Sequence, residues 1–199
     1  MVTTPLHIAI AGTHSSGKTT LARRIEMELR ATGLTVTRTG GLAKRAATLG
    51  FPKMTRHTLA STEWIITAGA AAVLEAELTA DVVIVDRTAH DAIAYLRAAH
   101  QRRIEPLKGK DLNRLRTLAN LHTRPAFYLA TILNPALPLA THPGKDPDWE
   151  DDRFRTAVDR KLHQTLEESD VPYLRVPSHD HATAVQAAVR AILEATVTA

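Results

Sequence analysis

An α/β fold, with five mostly parallel strands and helices on both faces of the sheet, is what this sequence predicts. Three observations carry that expectation. Apolar runs of strand length alternate with stretches of helical period, the order of a parallel sheet. A glycine-bearing turn follows the first strand and leads straight into an amphipathic helix. The chain has 199 residues, 44% of them hydrophobic, which suits one domain with a real core and not a disordered chain.

The elements follow in order. Leu6 to Ala11 (LHIAIA) reads as a buried strand. Residues 18–32 read as a helix, because Leu21, Ile25 and Leu29 recur four apart and Gly33 stops it. Leu34 to Arg38 is a short second strand. Residues 58–79 form a long helix, apolar on nearly every side from Trp64 to Leu74, which predicts a helix sandwiched inside the fold. Val82 to Val85 is wholly β-branched and reads as a central strand. Helices are expected over 88–102 and 110–122, then a strand over Ala126 to Ile132. Residues 134–150 hold four prolines and several acids and read as an irregular loop. A helix over 151–168 carries Phe154, Val158, Leu162 and Leu166 four apart. Tyr173 to Val176 is the last strand, and a helix over 181–195 closes the chain.

Composition excludes several classes. Without cysteine there is no disulfide framework and no thiolate zinc site. No apolar run approaches the roughly 20 residues of a membrane span. The N-terminus lacks the basic start and apolar stretch of a signal peptide, so a cytoplasmic protein is expected. The net charge of +4 suits a polyphosphate ligand. Basic residues are scattered, and the one local excess, Arg97 to Arg116, has no interleaved aromatic. That argues against a nucleic-acid surface.

The turn itself is the most specific feature. Gly12-Thr13-His14-Ser15-Ser16-Gly17-Lys18-Thr19 satisfies G-x-x-x-x-G-K-[ST], the P-loop pattern, with a strand before it and a helix opening inside it. The two glycines permit backbone angles closed to other residues. The turn and the helix N-terminus then aim N–H groups and a partial positive charge at one anion. Lys18 is placed for the β- and γ-phosphates of ATP, and Thr19 offers a hydroxyl to Mg²⁺. With Thr20, residues 12–19 are the predicted nucleotide cradle.

Asp81-Val-Val-Ile-Val-Asp86-Arg87 is a buried strand ending in an acid. Beside a P-loop strand, such an acid can hold Mg²⁺. Asp86 or Thr88 can equally serve as a helix N-cap, although a cap does not explain Arg87.

The segment VIVDRTAHDAIAY resembles the Asp-Arg segment of thymidylate kinases and nucleoside kinases. It is also similar to the AAA_28 group of P-loop kinases, which includes the nicotinamide riboside kinase domain of the bacterial NAD regulator. The likeness extends to DWEDDRFR at 148–155, similar to the lid region of that group. The resemblance implies a three-layer P-loop NTPase fold in one kinase-like domain, 1–199, with a lid over about 134–155. It implies an acid near Mg²⁺, mapped to Asp86, and a phosphate-touching arginine, mapped to Arg87. It further implies a phosphate-contacting lid arginine, Arg155 or Arg153. Helical spacing puts Asp152, Arg155 and Asp159 on one side, where the two acids can hold the guanidinium or form an ordinary solvated face.

One departure bears on the acceptor. Several such kinases carry an acid at the end of the second strand as base for a substrate hydroxyl, whereas Thr39-Gly40-Gly41 stands here. Either Asp86 does that work or no strong base is needed, as for a phosphate monoester acceptor. Basic candidates to position such an acceptor are Arg38, Lys44, Arg45, Arg56 and His57. Trp64, on the helix that lines the acceptor pocket in related folds, can stack on a base or fill the core. Tyr95 matches the tyrosine of related segments and can also be core. The substrate-binding set is thus Arg45, Arg56, Trp64 and Tyr95, and His14 is expected to face solvent or the lid.

The expected activity is ATP- and Mg²⁺-dependent phosphoryl transfer to a small molecule, a nucleoside or nucleotide. The partner is that acceptor, with a homodimer left open. A regulatory NTPase is the alternative. A GTPase is disfavoured, since Leu133-Asn134-Pro135-Ala136 is no NKxD guanine signature.

Overall fold

The structure, a computed structural model, describes residues 4–122, 125–136 and 151–198. In chain order the elements are β1 (Leu6–Ala11), α1 (Lys18–Ala31), β2 (Val36–Thr39), α2 (Leu42–Thr48), α3 (Leu59–Glu77), β3 (Val82–Asp86) and α4 (Ala89–Arg103). There follow α5 (Gly109–His122), β4 (Phe127–Thr131), α6 (Asp152–Glu168), β5 (Leu174–Val176) and α7 (His181–Thr198). The five strands form one parallel sheet in the order β2-β3-β1-β4-β5.

Side-chain alternation along β1 builds two helical layers. Ile8 and Ile10 join Leu21, Ile25 and Leu29 of α1 and Val185 and Ile192 of α7 in one core. Ala9 and Ala11 face the other way, into a core with Ala94, Tyr95 and Ala98 of α4 and Phe154, Val158 and Leu162 of α6. A third cluster joins Ile66 of α3, Ile93 and Leu96 of α4, and Leu115 of α5. Because β1 lies between β3 and β4, their C-terminal ends form one crevice, the usual ligand position in an open α/β sheet.

Local chemistry starts the helices. Thr88 and Asp91 make a reciprocal capping box at α4, Thr58 accepts from Ser61 N at α3, and Asp151 accepts from Phe154 N at α6. Gly17 and Gly41 precede α1 and α2 in the left-handed region, with φ of 87° and 74°.

Two expectations need correction. The stretch after Gly41 folds as α2 and a 3₁₀ turn at Met54–Arg56, neither of which the apolar pattern announced. Nor is α3 sandwiched: only Ser61, Thr62, Ile66 and Ala76 in it are buried, and Leu74 is 54% exposed. The middle of its apolar stretch, residues 68–72, is alanine and glycine, which bury little area and tolerate the surface. Among the described residues, no helix is long and apolar enough to cross a membrane. Of the lid expected over 134–155, residues 137–150 lie outside the described residues.

Candidate active site

The loop between β1 and α1 is braced from three sides. Gly12 has φ 152°, and a Cβ there would sit 1.9 Å from Thr131 Oγ1 at the end of β4. Gly12 N donates to Asp91 Oδ1 at 3.0 Å. Ser15 takes a left-handed φ of 54°. Ser16 Oγ bonds the Thr13 carbonyl at 2.8 Å and Thr131 Oγ1 at 2.6 Å. A Cβ on Gly17 would meet His181 Cε1 at 2.6 Å. Since α1 starts at Lys18, the amides of its first turn have no helical carbonyl to bond and open toward the loop. Thr20 is exposed on that turn.

Lys18 curls back over the loop. Its Nζ donates to the Thr13 carbonyl and, at 3.3 Å, to Ser16 Oγ. Burial first, and the nearby Arg87 second, bring its pKa down to about 7. An anion in the loop would oppose both effects by attracting the ammonium.

Asp86 ends β3 beneath the start of α1. Thr19 Oγ1 donates to Asp86 Oδ2 at 3.0 Å. Adjacent ligands of an octahedral Mg²⁺, each about 2.1 Å from the ion, lie about 3.0 Å apart, so this oxygen pair fits such an ion. The same Oδ2 accepts from Arg38 Nη1 at 3.2 Å.

Arg87 follows with φ 79°, an uncommon conformation for a non-glycine residue, while its N–H still bonds the Ile10 carbonyl. Its guanidinium lies 5.6 Å from the centre of the Tyr95 ring and donates to the Tyr95 hydroxyl at 3.4 Å. Burial alone would lower its pKa, but Tyr95, Asp91 and Asp86 outweigh it and hold the group firmly charged. Asp91 is buried and its pKa is raised by that burial. It accepts from Thr88 N at 2.7 Å and Thr88 Oγ1 at 3.0 Å, tying the Asp-Arg turn to Gly12.

Arg155 is buried, only 2% exposed, and packs behind the loop. Its Nη2 donates to the Ser15 carbonyl at 3.3 Å, and Thr13 Oγ1 donates to the Arg155 carbonyl at 3.2 Å. The expected clasp by two acids is only half formed. Asp152 touches Arg155 at 3.5 Å, but Asp159 accepts the Leu133 N–H at 3.1 Å, just past the end of β4. Arg153 is exposed. His14 also departs from expectation: it is fully buried, bonded to Tyr95 through both its backbone N–H and its ring.

Beside this site a cleft opens between α3 and the sheet. Thr39, Gly40, Leu42 and Gly69 line it together with Arg87 and Thr88. A Cβ on Gly40 would come 3.1 Å from the Asp86 carbonyl oxygen, a tight fit. Arg45 and Trp64 form a separate group, with the guanidinium 5.6 Å from the centre of the indole and Phe51 5.5 Å from it. Arg56 is exposed on the 3₁₀ turn, and Tyr95 stands behind the loop in the core. Sequence reasoning missed Asp91, Thr131 and His181. Only Asp91 left a signal, the T-x-x-D capping pattern just after Arg87.

A braced P-loop, a strand-end acid under its threonine, a buried Arg155 and a half-buried Arg87 on a five-stranded parallel sheet define a protein of the P-loop α/β fold. The AAA_28 family profile, described as an AAA domain, matches residues 7–184, and the chain belongs to that family. Among solved structures it is similar to NadR in complex with NAD and AMP-PNP, at 18% identity and a TM-score of 0.61, over 87% of this chain and 43% of that one. NadR in complex with NR gives 16% identity and a TM-score of 0.63, over 96% and 51%. Thymidylate kinase from Ehrlichia chaffeensis gives 17% and 0.63, over 92% and 98%. The chain thus spans about half the length of the NadR proteins and nearly all of the thymidylate kinase. At these identities the likeness is one of fold. No curated protein matches.

Proposed function

We propose that this chain is a cytoplasmic kinase that transfers the γ-phosphoryl group of ATP, with Mg²⁺, to a nucleoside or nucleoside monophosphate. One observation carries the reading: Arg87 lines the cleft under α3 while the Tyr95 hydroxyl that its guanidinium meets bonds the P-loop at His14. A single cation therefore joins the phosphate loop to an open pocket, as transfer between two bound molecules requires.

In this reading Gly12 to Thr20 cradle the phosphates, and Lys18 neutralises the β- and γ-groups. Thr19 and Asp86 would hold Mg²⁺, which would supply neutralisation of the phosphate charge. Arg87 faces the transferred group, Arg155 braces the loop from behind through the Ser15 carbonyl, and catalysis is positioning with charge stabilisation. Residues 1–199 act as one domain, with 134–155 as its lid. The end of β2 carries Thr39 and Gly40 and no acid, which favours an acceptor that already bears a phosphate. An alcohol acceptor would depend on Asp86 as base.

The test is incubation with ATP and Mg²⁺ against a panel of nucleosides and nucleoside monophosphates, reading ADP and the phosphorylated acceptor by mass spectrometry. ADP that appears only with an acceptor supports the kinase. ADP formed at one rate with or without every acceptor, and no phosphorylated product, points instead to a regulatory NTPase.

A further inference from the structure

Arg38 has a place in the site that its position on an edge strand does not suggest. In β2, Val36 and Arg38 point to the same face; in β3, Ile84 and Asp86 do so too. The register pairs Arg38 with Ile84, and Val36 and Ile84 both pack against α1. Arg38 and Asp86 are therefore neighbours on the face that α1 covers. There Arg38 Nη1 donates to Asp86 Oδ2 at 3.2 Å, onto the same oxygen that accepts from Thr19. The elbow of the side chain is pinned elsewhere, with Nε donating to Glu26 Oε2 at 3.2 Å. Glu26 in turn is held through Oε1 by Arg30 at 2.8 Å.

A divalent ion ligated by Thr19 Oγ1 and Asp86 Oδ2 would stand no more than about 5 Å from that Arg38 nitrogen. Two like charges that close repel strongly at the edge of a protein. The guanidinium tip must then leave Asp86, and it can do so without losing its hold on Glu26. The Arg38 side chain is 29% exposed, so water is within reach of the tip.

We propose that Arg38 is a resident counter-cation for Asp86. It neutralises the carboxylate in the metal-free protein, yields it when metal binds, and so sets how much divalent metal the site needs. This makes it a positioning residue acting through Asp86, and it rests on the reading of Asp86 as a metal-holding residue.

The measurement is Mn²⁺ affinity in the presence of ADP, followed by the electron paramagnetic resonance of free Mn²⁺. It is paired with ADP affinity in EDTA. Arg38→Gln should bind Mn²⁺ roughly three- to tenfold tighter, the gain expected when one partly buried competing ion pair is removed. In EDTA the same variant should bind ADP no more tightly than wild type, because a cation near the phosphates is gone. Arg38→Lys, which keeps the charge, should lie between the two and serves if Arg38→Gln folds poorly. A merely structural tie between α1 and β2 would weaken both affinities together. Mn²⁺ affinity unchanged or weakened in folded Arg38→Gln or Arg38→Lys, while Asp86→Asn loses the metal, overturns this proposal alone. If Asp86→Asn keeps wild-type Mn²⁺ affinity, the metal reading of Asp86 falls and the proposal falls with it.

Discussion

The phenolic oxygen of Tyr95 stands 2.9 Å from Nδ1 of His14 and 3.1 Å from the His14 backbone nitrogen. The same oxygen receives Arg87 Nη1 at 3.4 Å. Two N–H groups donate to it, and its third contact is the His14 ring nitrogen. One hydroxyl thus fixes the P-loop backbone, the His14 ring and the Arg87 guanidinium relative to one another.

Tyr95→Phe keeps the ring in its core, against Phe154 at 6.1 Å, and removes only that hydroxyl. We expect a stability loss of about 1–3 kcal/mol from the buried groups left without their partner. ATP affinity should fall about tenfold as the loop loosens. Thermal unfolding and calorimetric titration check both. Wild-type affinity in the variant would reduce Tyr95 to core packing.

Lys18 makes the empty site sensitive to pH. Its pKa is about 7 in the folded chain against an ordinary 10.5. Between those values the unfolded chain holds a proton that the folded one lacks, so this group's contribution makes stability rise with pH across that window. A bound triphosphate restores the charge. Binding of ATP at pH 8.5 should therefore take up close to one proton, and at pH 6 almost none. Calorimetry in two buffers of different ionisation heat reads the uptake directly. No uptake at pH 8.5 would mean that Lys18 is already charged in the empty loop.

Gly12→Ala should be among the most damaging small changes in the chain. The new methyl would overlap Thr131 Oγ1 at 1.9 Å and crowd Ser16 Oγ at 2.8 Å, on a backbone with φ 152°. Overpacking and backbone strain together cost about 2–5 kcal/mol. In a domain of this size that lowers the melting temperature by roughly 5–15 °C. Thr131→Ala in the same chain should recover only part of the loss, because it relieves the overlap and not the strain. Full recovery would show that φ at Gly12 is unimportant.

Asp86→Asn keeps size and hydrogen bonding and removes the charge. With Asp86 holding metal beside Thr19, the variant should need more Mg²⁺ for activity, and added Mg²⁺ should restore part of it. If Asp86 is instead the base for an alcohol, the rate should fall about 10²- to 10⁴-fold at any Mg²⁺ concentration. Wild-type activity at low Mg²⁺ would leave it neither role.

What the sequence determined by itself was local. The P-loop is legible because its glycines, lysine and threonine act within one turn, and the turn dictates their spacing. Gly12, Ser15 and Gly17 all take the backbone angles such a turn needs. The element order is legible because hydrophobic period and helix caps act over a few residues. The α3 reading failed for the complementary reason: a run of alanine has apolar period without saying what will cover it. Partnership across the chain was decided only by the tertiary structure. Strand order β2-β3-β1-β4-β5 brings Asp86 to Thr19 across 67 residues and Arg38 to Asp86 across 48. Packing of α4 and α6 on the far face brings Tyr95 to His14 across 81 residues and Arg155 to Ser15 across 140. Neither the identity nor the spacing of those residues encodes such pairs. They arise from which faces of the sheet the helices bury, a property of the whole core and not of any one segment.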